Sequence, residues 1–192
     1  MNTGKGGTNM KKITLCWFAA AALLAALTVP ALRAQAREPE HISEMINART
    51  AFHMLKSLAG SWTGTAGTDN APATVTYRIT ANGHVVTEVL FAGTDHEMMT
   101  LYYIQGSDLL ATHYCSMGNR PQFKLDSGKS SLKELVFNFD GGNGFDPGKD
   151  GHVHDAKLDF NGRDKFDASW SFYSGGEKRG SNDFHLTRVA AK

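Results

Sequence analysis

From Leu58 onward, apolar and polar residues alternate with a period of two in short runs broken by glycine and asparagine. Leu135, Phe137 and Phe139 share one face. His154, Ala156, Leu158 and Phe160 alternate with Asp155, Lys157 and Asp159, and Phe166, Ala168, Trp170 and Phe172 alternate with Asp167, Ser169 and Ser171. Val75, Tyr77 and Ile79 do the same opposite Thr74, Thr76, Arg78 and Thr80. This period marks strands with one buried face, so the apolar sets look into a common interior. Turn signals at Gly83, Gly93, Gly106-Ser107, Gly118-Asn119, Ser127-Gly128, Gly141 to Gly151, Asn161-Gly162 and Gly175-Gly176 cut the chain into strands with nothing helical between them. The pattern predicts an all-β fold, an antiparallel up-and-down β-barrel of about ten strands, whose closure removes the exposed edges of an open sheet.

Two stretches break the pattern. Between Ser43 and Leu58, Met45, Ile46, Phe52, Leu55 and Leu58 recur at helical spacing, with Ser43 as N-cap, which predicts a short helix that packs against or lids the barrel. From Val85 to Tyr114 both faces are apolar, through Val85, Val86, Val89, Leu90, Phe91, Met98, Met99, Leu101, Tyr102, Tyr103 and Ile104. Something is expected to cover that outer wall, the helix or a second copy in a homodimer.

The N-terminal part reads as an export signal: Lys11 and Lys12, an uncharged apolar run from Ile13 to Leu27, and Ala34-Gln35-Ala36 as a small-x-small cleavage site. The expected organisation is a cleaved leader over 1–36, a helical segment over 37–58 and the barrel over 59–192, in a protein exported across the inner membrane to the periplasm without stable membrane insertion. Cys16 lies ahead of most of the apolar run, the wrong side for lipoprotein cleavage. With Lys5, Lys11, Lys12 and Arg33 removed, 16 basic residues face 19 acidic ones, a formal charge of −3. No basic patch points to nucleic acid. Cys115 is then the one cysteine remaining, so no internal disulfide is expected.

The stretch Leu58-Ala59-Gly60-Ser61-Trp62-Thr63-Gly64 opens the strands, and Phe184-His185-Leu186-Thr187-Arg188 ends them with Phe184, Leu186 and Arg188 on one face. Trp62 as a floor plug with Arg188 laid over it resembles the closure of calycins, which include lipocalins, fatty-acid-binding proteins and the haem-binding nitrobindins. That resemblance implies a ligand-holding barrel. Gly83 to Glu88, His96 to Thr100 and His113 to Pro121 are similar to a group of exported bacterial lipocalin-like proteins of unknown function, which supplies no reaction to carry over. The nitrobindin likeness also raises haem. In that family the ligand histidine lies further before the closing arginine, whereas His185 is three residues from Arg188 and on the opposite face. His113 and His154 are the histidines left to offer an axial nitrogen.

The densest polar cluster runs from Thr112 to Pro121, and alternation puts His113 and Cys115 on one face, Thr112 and Tyr114 on the other. The expected function is binding of a small hydrophobic or amphipathic ligand. Its apolar lining is Phe137, Phe139, Leu158, Phe160, Trp170 and Phe172, and its polar contacts are His113, Tyr114, Cys115, Asn119, Arg120 and His154. Glu88 shares a face with Val86 and Leu90, so Arg120 or Arg78 is the expected partner of a buried acid. The alternative is an enzyme acting on a lipid-like or cyclic substrate, with His113 as acid/base alongside Glu88 or Tyr114. His152 and His154 make two imidazoles without a third ligand, and the Asp140 to Gly151 loop lacks Ca²⁺-loop spacing, so no metal site is expected. Met98, Met99 and Met117 are soft side chains suited to an adaptable cavity.

Overall fold

The computed structural model describes Met1 and residues 46–190. The chain divides at Glu40 into two units, and every element described here lies in the second. The expected leader with its cleavage site, and Ser43 and Met45, lie outside the described residues.

One helix, α1 (Ala48–Ser57), precedes ten strands: β1 (Gly60–Ala66), β2 (Ala71–Thr80), β3 (Val85–Leu90), β4 (Met98–Gln105), β5 (Asp108–Tyr114), β6 (Arg120–Leu125), β7 (Glu134–Asn143), β8 (His152–Phe160), β9 (Lys165–Ser174) and β10 (Glu177–Arg188). Each strand pairs antiparallel with the next, and β1 pairs with β10, closing the barrel. The up-and-down meander expected from the alternation is therefore the observed fold.

Helix α1 begins at Asn47, not Ser43. The Asn47 side chain accepts from the Thr50 amide at 2.9 Å, satisfying one of the free donors of the first turn. Its buried residues, Ala51, Phe52 and Leu55, join Leu58 and Trp62 in the interior core. The helix packs on β2, β4 and β5 and so contributes to one end of the barrel. Among the described residues the outer wall stays partly open: Val85, Val89, Leu101 and Tyr103 are partly exposed, and Met99 and Tyr114 are exposed.

At the seam Trp62 lies opposite Arg188 and Gly64 opposite Leu186. A Cβ on Gly64 would stand 1.9 Å from the His185 carbonyl oxygen, so β1 and β10 approach this closely only with glycine there. The Arg188 guanidinium sits 4.2 Å from the Trp62 ring centre, and Trp62 Nε1 donates to the Leu58 carbonyl at 2.8 Å. Arg188 also donates to the carbonyls of Ser57 and Ala59, each at 2.8 Å, and of Arg163 at 3.1 Å. It thereby ties the end of α1 to the last strand. Above this seal, Trp62, Tyr77, Phe166, Leu158, Leu109, Leu135 and Phe137 fill the barrel with fully buried side chains, each contributing about 1.5–3 kcal/mol.

Two positions depart from simple alternation. Ile79, at the end of β2, is 47% exposed because the strand runs past the core there. On β8 the register shifts between Val153 and Asp155, inserting a residue and exchanging the faces on either side. Ala156, Leu158 and, partly, Phe160 remain inside, but His154 leaves the series, and Val153 lines the interior in its place.

Candidate functional site

At the end opposite α1, the loops between β1 and β2, β3 and β4, β5 and β6, β7 and β8, and β9 and β10 surround an open cavity of about 400 Å³. Leu90, Met98, Val153, Trp170, Phe172 and Phe184 form an apolar wall, and His113 and Cys115 enter it from β5. Met117 stands at the mouth, 57% exposed, with Arg179, Ser181 and Asn182 across from it on β10.

His113 is held from behind. Tyr77, Glu88, Thr100 and His113 are successive cross-strand partners on β2, β3, β4 and β5, all on the inner face. Tyr77 donates to one Glu88 oxygen at 2.5 Å and Tyr102 to the other at 3.0 Å. Burial pushes the Glu88 carboxyl above its usual range, opposed by hydrogen bonds from Tyr77, Thr100 and Tyr102. Both phenols are raised well above their ordinary value, first by burial and then by the Glu88 charge. Thr100 Oγ1 also lies 2.9 Å from His113 Nδ1. A threonine hydroxyl has one proton to give. If that proton goes to Glu88, the Thr100 oxygen accepts the Nδ1 hydrogen of His113 and leaves Nε2 a lone pair. Burial lowers the His113 pKa to about 4, so the ring is neutral near pH 7.

Two buried ring nitrogens on lining residues, His113 Nε2 and Trp170 Nε1, have no partner among the described residues. The two rings lie 5.4 Å apart, centre to centre, tilted by 33°. Buried polar atoms are nearly always paired. Beneath a mainly apolar surface, the lining residues therefore hold two ring nitrogens with unused hydrogen-bonding capacity.

Of the residues predicted to contact a ligand, the cavity gathers His113, Cys115, Trp170 and Phe172. The others lie elsewhere. Tyr114 points outward and is 43% exposed, as its place opposite His113 requires. Arg120 is exposed, and buried Asn119 donates to the Gly151 carbonyl at 2.8 Å, bracing the β5–β6 loop against β8. Phe137, Leu158 and Phe160 belong to the packed core, with Phe137 against Tyr102 and Phe160 against Phe166. His154 is stacked between Phe139 and Tyr173, at 4.6 and 3.9 Å between ring centres, and its Nδ1 lies 3.0 Å from an Asp155 carboxylate oxygen without hydrogen-bond geometry. The inserted residue at the β8 bulge puts it there rather than in the cavity. His152 packs beside it and reaches the Asp150 carbonyl, not the carboxylate.

Arg78 and Arg120 are both exposed, and the partners of Glu88 are tyrosines instead. Register explains this. Tyr77 faces Glu88 directly across β2 and β3, and Tyr102 is two residues beyond its β4 partner, Thr100. Alternation marks Tyr77 as inward, but only the pairing shows that it meets the acid. Leu90, Val153 and Phe184, and the rim residues Arg179 to Asn182, also escaped the sequence reading, since their meeting depends on which strand ends share one mouth.

No family model matches the chain, and no curated protein matches it. Among solved structures it is similar to a protein of unknown function from the DUF3598 family of Nostoc punctiforme, with 14% identity and a TM-score of 0.46 over 70% of this chain and 49% of that one. It is also similar to Rv2717c from M. tuberculosis, with 16% identity and a TM-score of 0.47 over 73% of this chain and 98% of that one. The chain thus spans about half the length of the first protein. At these values the function rests on the site's own geometry.

Proposed function

We propose that this is a calycin-type carrier that holds a small, mainly apolar molecule in the open end of the barrel, anchored by one polar group between Trp170 and His113. The observation that carries this reading is the pair of buried, unpartnered ring nitrogens in an apolar lining. A hydroxyl satisfies both, giving its proton to His113 Nε2 and accepting from Trp170 Nε1. The leader sequence supports a periplasmic setting, where the formal charge of −3 favours a freely diffusing carrier.

The geometry is less favourable to the enzyme alternative. A histidine with a pKa of about 4 is a weak base near neutrality. Tyr114 is on the other face of the sheet, and Glu88 lies behind Thr100, enclosed by two phenols.

The test begins with native mass spectrometry and an absorbance spectrum of the protein purified without added ligand, followed by titration with 2-naphthol and with naphthalene. A co-purifying small molecule, and 2-naphthol binding about tenfold tighter than naphthalene, is the expected result, one hydrogen bond being worth roughly 1.4 kcal/mol. Trp170→Phe removes most of that preference. A bare protein that binds neither compound overturns the proposal, and a Soret band replaces the small ligand with haem.

A further inference from the structure

Three soft or borderline metal donors belong to side chains that line the same cavity, and carrying an apolar molecule requires neither of the two sulfurs among them. His113 and Cys115 are two residues apart on β5 and point inward together, and Met98 begins β4 beside them. The ladder pairs Thr100 with His113 and Met99 with Tyr114, so the next rung sets Met98 against Cys115. Their sulfurs are 4.0 Å apart. Metal–sulfur bonds of about 2.3 Å meeting at roughly 120° put two sulfurs about 4.0 Å apart. The third donor is His113 Nε2, buried and without a partner among the described residues, on a side chain that lines the same cavity.

We propose that His113 Nε2, Cys115 Sγ and Met98 Sδ form a three-coordinate site for monovalent copper. The ligand set selects the metal. A thiolate, a thioether and an imidazole suit Cu(I), whereas Ca²⁺ and Mg²⁺ require oxygen donors and Zn²⁺ ordinarily takes Cys, His or carboxylate ligands in a four-coordinate shell. Charge agrees with this choice. Cu⁺ displaces the Cys115 thiol proton to solvent, and the resulting copper–thiolate unit is neutral, so a largely apolar wall bears no uncompensated charge. A divalent ion there would leave one positive charge unpaired.

The support behind His113 fits the same role. A metal-bound histidine ordinarily donates its other ring hydrogen to an oxygen that fixes its tautomer and orientation. Thr100 Oγ1 is that oxygen, and Glu88 with its two tyrosines holds Thr100 in turn. Thr100 and Glu88 are positioning residues for the site. Met117, at the mouth of the cavity, is the side chain placed to shield the metal from water.

The site does not depend on an organic ligand, although both would use His113 Nε2, and the variants separate the two readings. Under anaerobic conditions the full-length mature protein is titrated against the Cu(I) complex of bicinchoninate. It is expected to take one equivalent, with Cys115→Ser and Met98→Leu each weakening the affinity about tenfold or more. Thr100→Val is expected to weaken it by a similar factor through the histidine. Trp170→Phe should leave copper binding intact and reduce only the naphthol preference. Failure of the wild-type protein to take copper from the chelator overturns the proposal, as does equal uptake by Cys115→Ser and Met98→Leu, which would place the metal on surface methionines or histidines. Copper-edge X-ray absorption of the wild type supplies a reading independent of how the variants fold. Sulfur and nitrogen neighbours are expected, and a shell of oxygen alone overturns the site.

Discussion

Glu88 is a carboxylate placed where water cannot reach it, and the two phenols that contact it reduce the cost of that burial without abolishing it. Its folded-state pKa lies above the value in the unfolded chain, so the protonated acid is the better-tolerated form inside the barrel. The stability contributed by that preference is complete below pH 4.5 and is lost as pH rises through the folded-state value. Glu88→Gln removes the titration and keeps the shape, with one tyrosine turning its hydroxyl to accept from the amide. The expected outcome is a variant whose stability relative to wild type improves as pH rises above 4.5 and levels off once the folded carboxyl has ionised, measured by urea unfolding at each pH. A constant offset would mean that the carboxyl has the same pKa in the folded and unfolded protein and would overturn this account. Tyr77→Phe takes away one donor and leaves the acid underpaired, costing about 1–3 kcal/mol.

The elements were legible in the sequence to different depths. Period-two alternation over β7, β8 and β9 gave the strands and most of their inner faces, because a half-buried strand must place apolar residues at every second position. It failed at His154, since one inserted residue reverses the faces beyond it, and nothing in His152-Val153-His154 announces the insertion. The helix was visible, but its start was placed at Ser43 when Asn47 performs the capping. The cavity was half legible. His113 and Cys115 stand out by residue type and spacing, whereas Met98 joins them only through the pairing of β4 with β5. At the seam, Arg188 is the one side chain that holds an aromatic ring, a helix end and a neighbouring loop at once. Arg188→Ala is expected to cost about 2–4 kcal/mol in chemical denaturation, and Arg188→Lys to restore less than half of that, because an ammonium cannot address three carbonyls from one plane.

Taken whole, the barrel has one end occupied by α1, Trp62 and Arg188, a middle packed with side chains, and the cavity lined by His113 at the other end. A guest that sits deep against His113 has the packed core behind it. An incoming molecule cannot push the resident one forward through the protein, nor pass it in a passage walled by Met117, Phe172 and Arg179. On the carrier reading proposed above, turnover of cargo therefore runs through the vacant protein. In stopped-flow exchange the release rate should stay constant as competitor rises a hundredfold above saturation, and an accelerating rate would reveal a second route. A carrier built this way keeps its cargo for a time fixed by its own walls, however crowded the surroundings, and delivers by waiting at a place where the molecule is scarce.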